Sequence, residues 1–205
     1  MFFERLALAT GNRGKHAEFA AMLPRTLVGE LVFAPDRVPS VEETGTTYAE
    51  NALLKARAWA EALDLPSLAD DSGLEVDALG GAPGVHSARV VPGSDGDRNR
   101  WLLERLRGRE DRGARFVAAL ALYVPRTSEG PWSLVCEGNC PGRIAETPTG
   151  TGGFGYDPLF LPDGYEGVSF AALPASTKNV ISHRAAALRL LVEILSGTGQ
   201  ALSST

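Results

Sequence analysis

An α/β fold is what the sequence predicts, and three features carry that expectation. An apolar run over residues 5–10 ends in a glycine-containing break and passes into a helical pattern. Residues 48–63 keep an amphipathic helical period behind a capping-box start. Residues 115–124 and 132–145 are long and rich in β-branched and aromatic side chains, the composition of extended strands.

From the N-terminus, residues 5–10 read as a short buried strand, Gly11, Asn12, Arg13 and Gly14 as a break, and residues 15–23 as a helix. Residues 27–34 form a second strand, and residues 35–46 a loop carrying the adjacent acids Glu42 and Glu43. Thr47 and Glu50 have capping-box spacing, and Tyr48, Ala52, Leu53, Ala56, Trp59, Ala60 and Leu63 recur at helical intervals. Asn51 and Lys55 are a helical turn apart, so they share one face of that helix, available to a cleft. Residues 68–70 and 74–78 look like strand segments around a turn at Asp71, Ser72 and Gly73. Residues 97–107 read as a helix, 108–113 as a solvated turn, and the two long strands as an antiparallel pair joined by residues 125–131. The glycine-rich run 150–155 is loop. Ser182 caps a last helix over residues 183–195, with Ala187, Leu188, Leu191, Val192 and Leu195 as its buried stripe, and the polar tail after Ser196 is expected to fray.

With 205 residues, 44% hydrophobic and 22% charged, the chain suits one globular domain, or two lobes sharing a core. A net charge of −5 argues against a surface that tracks a nucleic-acid backbone, so an anionic small molecule needs a local basic pocket. Cys136 and Cys140 are too few for a disulfide framework, and His16, His86 and His183 are not spaced with them as zinc ligands. The start lacks the pattern of a signal peptide and no stretch is long and apolar enough to span a bilayer, which predicts a cytoplasmic chain with no membrane partner.

Thr10, Gly11, Asn12, Arg13, Gly14 and Lys15 lie between a strand and a helix N-terminus, where free backbone N–H groups and the helix dipole attract phosphate and Lys15 adds a full charge. This is not a Walker loop, since Ala9 stands at its first glycine position and His16 at its Ser/Thr position. An ordinary connector explains the segment equally well. Asp70 and Asp71 sit side by side at a strand end with Glu42 in a loop able to approach them; hard oxygen ligands suit Mg²⁺, and a carboxylate is also a general base for water. The plainer alternative is a simple Asp-Ser-Gly turn.

Residues 150–155 match the dinucleotide fingerprint G-x-G-x-x-G, but Pro158 turns Asp157 away from helical geometry, so the helix that fingerprint must open cannot start there. A glycine loop presenting Phe154 and Tyr156 is better suited to stack on an aromatic base. Lys178, His183 and Arg184 cluster near the final helix start as donors to phosphate or carbonyl oxygen, with a solvated helix start as the plain alternative. His86 reads as structural or rim-lining, and Trp59, Trp101 and Trp132 as core or interface residues.

Taken together and in order, A-T-G-N at 9–12 with Lys15, Glu18 and Phe19, E-E-T-G at 42–45, Asn51 and Ala52 with Lys55 and Ala56, A-D-D-S-G-L-E-V-D at 69–77, G-F-G-Y-D-P at 153–158 and S-H-R at 182–184 closely resemble the inosine/xanthosine triphosphate pyrophosphatase family. The resemblance runs over residues 6–195 and implies an elongated mixed β-sheet flanked by helices, two lobes of a single domain (residues 1–205) around a central substrate cleft, and a homodimer that uses Mg²⁺. It implies that residues 10–15 bind the triphosphate, with Lys55 among the neutralising lysines, that Glu42 and Asp71 hold the metal, and that Asp71 is also the proton acceptor. Ser72, Phe154, Gly155, Tyr156, Asp157, Lys178, His183 and Arg184 are implied to contact the substrate. Two departures are small: His86 stands where the family often has an aromatic residue, and Tyr48 where Phe is usual.

The implied reaction is attack of water at the α-phosphorus of ITP, dITP or XTP, with Asp71 taking the proton and pyrophosphate leaving. Donors near His183 and Arg184 would select a 6-oxo group over the 6-amino group of adenine. The competing expectations are a Maf-like pyrimidine nucleotide pyrophosphatase, with the same chemistry and another base, and a non-catalytic nucleotide-binding module. Carboxylates set beside phosphate argue against the module, since they repel a triphosphate unless metal is bound.

Overall fold

The computed structural model describes residues 1–38 and 40–202. Among the described residues, β1 (Phe3–Ala9), β2 (Val28–Val32), β3 (Ser67–Val76), β4 (Gly113–Val124), β5 (Trp132–Ile144) and β6 (Phe160–Pro162) form one mixed sheet in the order β2-β1-β3-β4-β5-β6. Strand β1 is parallel to β2 and β3, whereas β5 is antiparallel to β6. The flanking helices are α1 (Arg13–Met22), α2 (Tyr48–Leu63), α3 (Asp95–Arg105), α4 (Ala175–Ile181) and α5 (His183–Leu202).

The chain divides into two compact units. The first comprises Met1–Asp71, Ala118–Gly138 and Arg184–Thr205, the second Ser72–Val117 and Asn139–His183. The first unit is built on an apolar core of Leu6 and Leu8 from β1, Phe19 from α1, Leu120 and Leu122 from β4, and Ala187, Leu188, Leu191 and Leu195 from α5. These α5 positions are the predicted stripe, with Val192 packed against it. The second has its own core around Leu74, Leu102, Leu106, Phe116, Tyr156, Phe160 and Phe170, where the Phe116 ring lies 4.6 Å from that of Phe160. Cys136 belongs to the first core and Cys140 to the second, and both thiols are free.

Two local expectations are corrected. Residues 67–76 are one unbroken strand, so Asp71, Ser72 and Gly73 make no turn. Strand β3 lies between β1 and β4, and the hydrogen-bonded ladders of an interior strand outweigh the local turn preference of those residues. Helix α5 continues to Leu202 where fraying was expected after Ser196, because adding residues to a formed helix costs far less than nucleating one. The expected fraying of residues 203–205 lies outside the described residues.

The register places the carboxylates. The β1–β3 ladder ends at the pair Ala9–Ala69, so Asp70 and Asp71 project beyond the carboxyl end of β1, beside the loop that leads into α1. Crevices at the carboxyl ends of parallel strands are where ligands bind in open α/β sheets. Helix α2 starts as predicted, with the Thr47 hydroxyl accepting from the Glu50 amide at 3.1 Å and Glu50 Oε2 accepting from the Thr47 amide at 3.2 Å. Thr47→Ala is expected to lower the unfolding free energy by about 1 kcal/mol, read as a shift of the urea midpoint at constant m.

Candidate functional site

Adjacent strand residues point to opposite faces of a sheet, and the partners of Asp70 and Asp71 divide accordingly. Asp70 Oδ2 lies 2.7 Å from the Lys15 ammonium of α1 and 3.3 Å from Arg184 of α5. Arg184 turns another nitrogen to Glu18 at 2.9 Å. Asp71 faces α2 instead: Lys55 Nζ donates to its Oδ1 at 2.8 Å, and Asn51 Nδ2 to its Oδ2 at 3.4 Å. Lys55 also donates to Glu43 at 2.7 Å, and the Asn51 carbonyl oxygen accepts from the Gly45 amide at 2.8 Å. The Asp70 and Asp71 side chains are only 1% and 9% exposed, a burial that carboxylates tolerate when cations and donors face them.

Glu42 does not join this cluster. It is exposed, whereas its neighbour Glu43 is half-buried on Lys55. The sequence signal for Glu43 was present in the adjacent acid pair, but an irregular loop has no period that says which of two neighbours turns inward. Asn51 was placed by its helical spacing from Lys55; Glu18 stood among the residues carrying the resemblance but without a role, since one acid on a helix looks like solvated surface.

At the loop before α1, Asn12 is the N-cap: its Oδ1 accepts from the amides of Gly14 at 2.8 Å and Lys15 at 3.1 Å. The Thr10 hydroxyl accepts from the Asn12 amide at 3.0 Å. Three amides expected to face phosphate are therefore engaged inside the loop. Among the described residues, those of Gly11 and Arg13 make no hydrogen bond, and a Cβ on Gly11 would meet nothing within 4 Å.

Burial pulls Lys15 below the usual lysine range, opposed by Asp70 and reinforced by Arg184 and Lys55. Burial acts on Lys55 in the same direction, but the combined pull of Asp71 and Glu43 wins and raises it. Burial pushes Asp71 above the usual carboxylate range against Lys55. The cluster thus offers a lysine that gains from an added anion and a carboxylate with raised proton affinity. It pairs the cations Lys15, Lys55 and Arg184 with the larger acid set Glu18, Glu43, Asp70 and Asp71, so further phosphate charge calls for a further cation.

The second unit builds a different site. Gly153 has φ of 69°, and a Cβ there would lie 2.0 Å from Asp157 Oδ2, so only glycine fits. That oxygen accepts from the Phe154 amide at 2.9 Å and from the Lys178 ammonium. Lys178 in turn lies 4.9 Å from the Phe154 ring centre and 5.5 Å from that of Phe170. The Gly155 amide donates to Asp95 Oδ2 at 2.7 Å and its carbonyl accepts from Asn99 Nδ2 at 3.1 Å. His183, 1% exposed, stacks on Phe116 at 4.8 Å.

Three expected substrate contacts are placed differently. Tyr156 is a core residue, 4% exposed, whose hydroxyl donates to the Ser87 carbonyl at 3.1 Å; burial pushes that phenol up to about 12, and of the two aromatics Phe154 alone is half-exposed. Asp157 is buried and serves Phe154 and Lys178. Arg184 turns to Asp70 and Glu18 in the first unit. Ser72 is half-buried next to Asp71 on β3.

The Ham1 family model matches residues 6–194. This chain belongs to the Ham1 family. A dITP/XTP pyrophosphatase of Symbiobacterium thermophilum is 48% identical over 194 residues, covering 94% of this chain and 95% of that protein. One of Escherichia coli strain K12 is 46% identical over 196 residues, covering 94% and 98%. The structure of a HAM1 protein from Coxiella burnetii matches with a TM-score of 0.83 at 39% identity over 95% of this chain and 99% of that one. The Staphylococcus aureus Ham1 protein matches at 0.81 and 37%, over 95% and 100%. The mixed sheet with flanking helices is thus a Ham1 architecture.

Because burial raises Asp71, this carboxyl holds its proton more tightly in the folded chain than at its ordinary value of 3.8. Its contribution to stability is present below that value and is lost as pH rises through the folded pKa. Asp71→Asn removes the titration, so the variant gains stability relative to the wild type as pH is raised from below 3.8 toward neutrality, checked by urea unfolding in EDTA at each pH.

Proposed function

We propose that this Ham1-family chain hydrolyses the non-standard purine nucleoside triphosphates ITP, dITP and XTP to the monophosphate and pyrophosphate, removing them from the nucleotide pool. Relatives named dITP/XTP pyrophosphatase, 46% to 48% identical over nearly the whole chain, support the substrate class. The observation that carries the chemistry is Asp71: buried, raised in proton affinity, 2.8 Å from Lys55 and just past the last β1–β3 pair. A carboxylate whose pKa is moved toward the working pH is a better general base.

Asp71 takes a proton from the attacking water as its oxygen bonds to the α-phosphorus and the bond to the β-phosphate oxygen breaks. Lys15, drawn down by burial, is released from Asp70 toward the triphosphate, and the Gly11 and Arg13 amides at the N-terminus of α1 receive phosphate oxygens. Lys55 orients Asp71 and adds positive charge. Phe154 stacks on the base beside Lys178. A 6-oxo group accepts from a donor where the 6-amino group of adenine cannot; with Arg184 turned to carboxylates, that donor role passes to Lys178 and His183.

The donor set fits Mg²⁺. Among the described residues no group of three or more His, Cys, Asp or Glu forms a cage, and Mg²⁺ usually takes one or two carboxylates together with substrate phosphates. Asp71 is the first ligand in this reading, with Glu42 as the resemblance implies and Glu43 joining them by its position on Lys55. When bound, the ion neutralises phosphate charge and stabilises the leaving pyrophosphate. A homodimer and a cytoplasmic location complete the proposal; no described helix is long and apolar enough to cross a membrane.

Pyrophosphate release from ITP, XTP, ATP, GTP and dTTP, with Mg²⁺ and again with EDTA, tests the reading. Metal-dependent turnover of ITP and XTP far above the others is the expected result; turnover of dTTP instead marks a Maf-like activity, and binding of ITP without release marks a nucleotide-binding module. Asp71→Asn is expected to abolish turnover of ITP while circular dichroism reports an unchanged fold, and unchanged turnover removes Asp71 from the mechanism.

A further inference from the structure

Helix α3 grips the peptide that follows Phe154. The Gly155 amide donates to Asp95 Oδ2 at 2.7 Å, and the Gly155 carbonyl accepts from Asn99 Nδ2 at 3.1 Å. With the Phe154 amide held by Asp157 at 2.9 Å, three backbone groups of Phe154 and Gly155 are fixed by side chains. Asp95 is itself braced by Arg98 at 2.5 Å, and Arg98 donates with its other nitrogen to the Gly93 carbonyl at 3.0 Å.

Asn99 is 9% exposed, and its carbonyl oxygen is buried with no hydrogen-bond partner among the described residues. A buried acceptor without a partner is a cost to the folded state, one that an apolar residue of similar size would avoid. What the amide provides that such a residue cannot is the bond to Gly155.

We propose that Asn99 and Asp95 are positioning residues for purine recognition: without touching substrate, they fix the glycine loop so that Phe154 is presented to the base. The proposal rests on the reading in which Phe154 stacks on the base of the substrate. A loop held in its binding geometry before the ligand arrives loses less conformational freedom on binding, so α3 sets affinity for the base and leaves the bond-breaking step alone.

Asn99→Leu removes both the Gly155 donor and the orphan oxygen. The expected result is about a tenfold rise in KM for ITP with kcat held within about twofold, the pattern of lost uniform binding. Tm is unchanged or higher, and hydrogen exchange quickens at the Phe154 and Gly155 amides. Asp95→Ala, on a side chain 46% exposed, releases the Gly155 amide from the other end and serves as the second variant where Asn99→Leu does not fold; it gives the same KM rise. Unchanged KM, or a fall in kcat and Tm together with the KM change, overturns the proposal. A wild-type chain that does not turn over ITP overturns the proposed function instead, and the clamp is then decided by exchange: protection of both amides that survives the substitutions overturns it.

Discussion

Burying two neighbouring carboxylates on an interior strand is the constraint on which the first unit depends. The pleat sends Asp70 and Asp71 to opposite faces of the sheet, so each has its own ion-pair partners. Helices α1 and α5 bring Lys15 and Arg184 to Asp70, and α2 brings Lys55 and Asn51 to Asp71. Removing one partner of such a buried pair leaves an uncompensated charge, typically a loss of about 3–5 kcal/mol. Apolar packing follows the same division: Phe19 of α1 and the stripe of α5 share one core cluster, to which α2 contributes no residue.

The second unit solves a positioning problem by other means. Its loop has little side-chain mass to pack, so the conformation is set through backbone groups, with Asp157, Asp95 and Asn99 as anchors and left-handed glycines allowing the close approach. Ion pairs fix the first unit's charged groups. Side-chain hydrogen bonds to peptide groups fix the second unit's loop, and the carboxylate anchors Asp157 and Asp95 are themselves paired with Lys178 and Arg98. Both forms of preorganisation place dipoles and charges before substrate binds.

What was legible in the sequence was whatever rests on local periodicity or capping. Helix α2 appeared with its ends correct because a 3.6-residue stripe and a capping box agree there, and the strand, loop and helix around residues 10–15 appeared because a buried strand and a glycine break are both local signals. Strand β6 and helix α4 did not appear, being too short to establish a period. The turn expected at Asp71, Ser72 and Gly73 failed because two neighbouring strands, far away in sequence, extend it. Side-chain direction was the least legible property. That Glu43 rather than Glu42 meets Lys55, that Tyr156 goes to the core, and that Arg184 turns to Asp70 are decided by tertiary partners many residues distant.

Neither unit is a continuous stretch of chain, and this orders events during synthesis. The first unit contains the N-terminal residues but closes only with the segment from Arg184 onward. That segment delivers a cation to Asp70 and four residues of the core stripe, Ala187, Leu188, Leu191 and Leu195. Until that segment has been made, Asp70 lacks Arg184 and the first core lacks its α5 stripe, whereas every residue of the second unit, which ends at His183, already exists. A chain cut before Arg184 therefore loses one cation of the charged centre and the α5 stripe of the first core together, and keeps every residue of the second core.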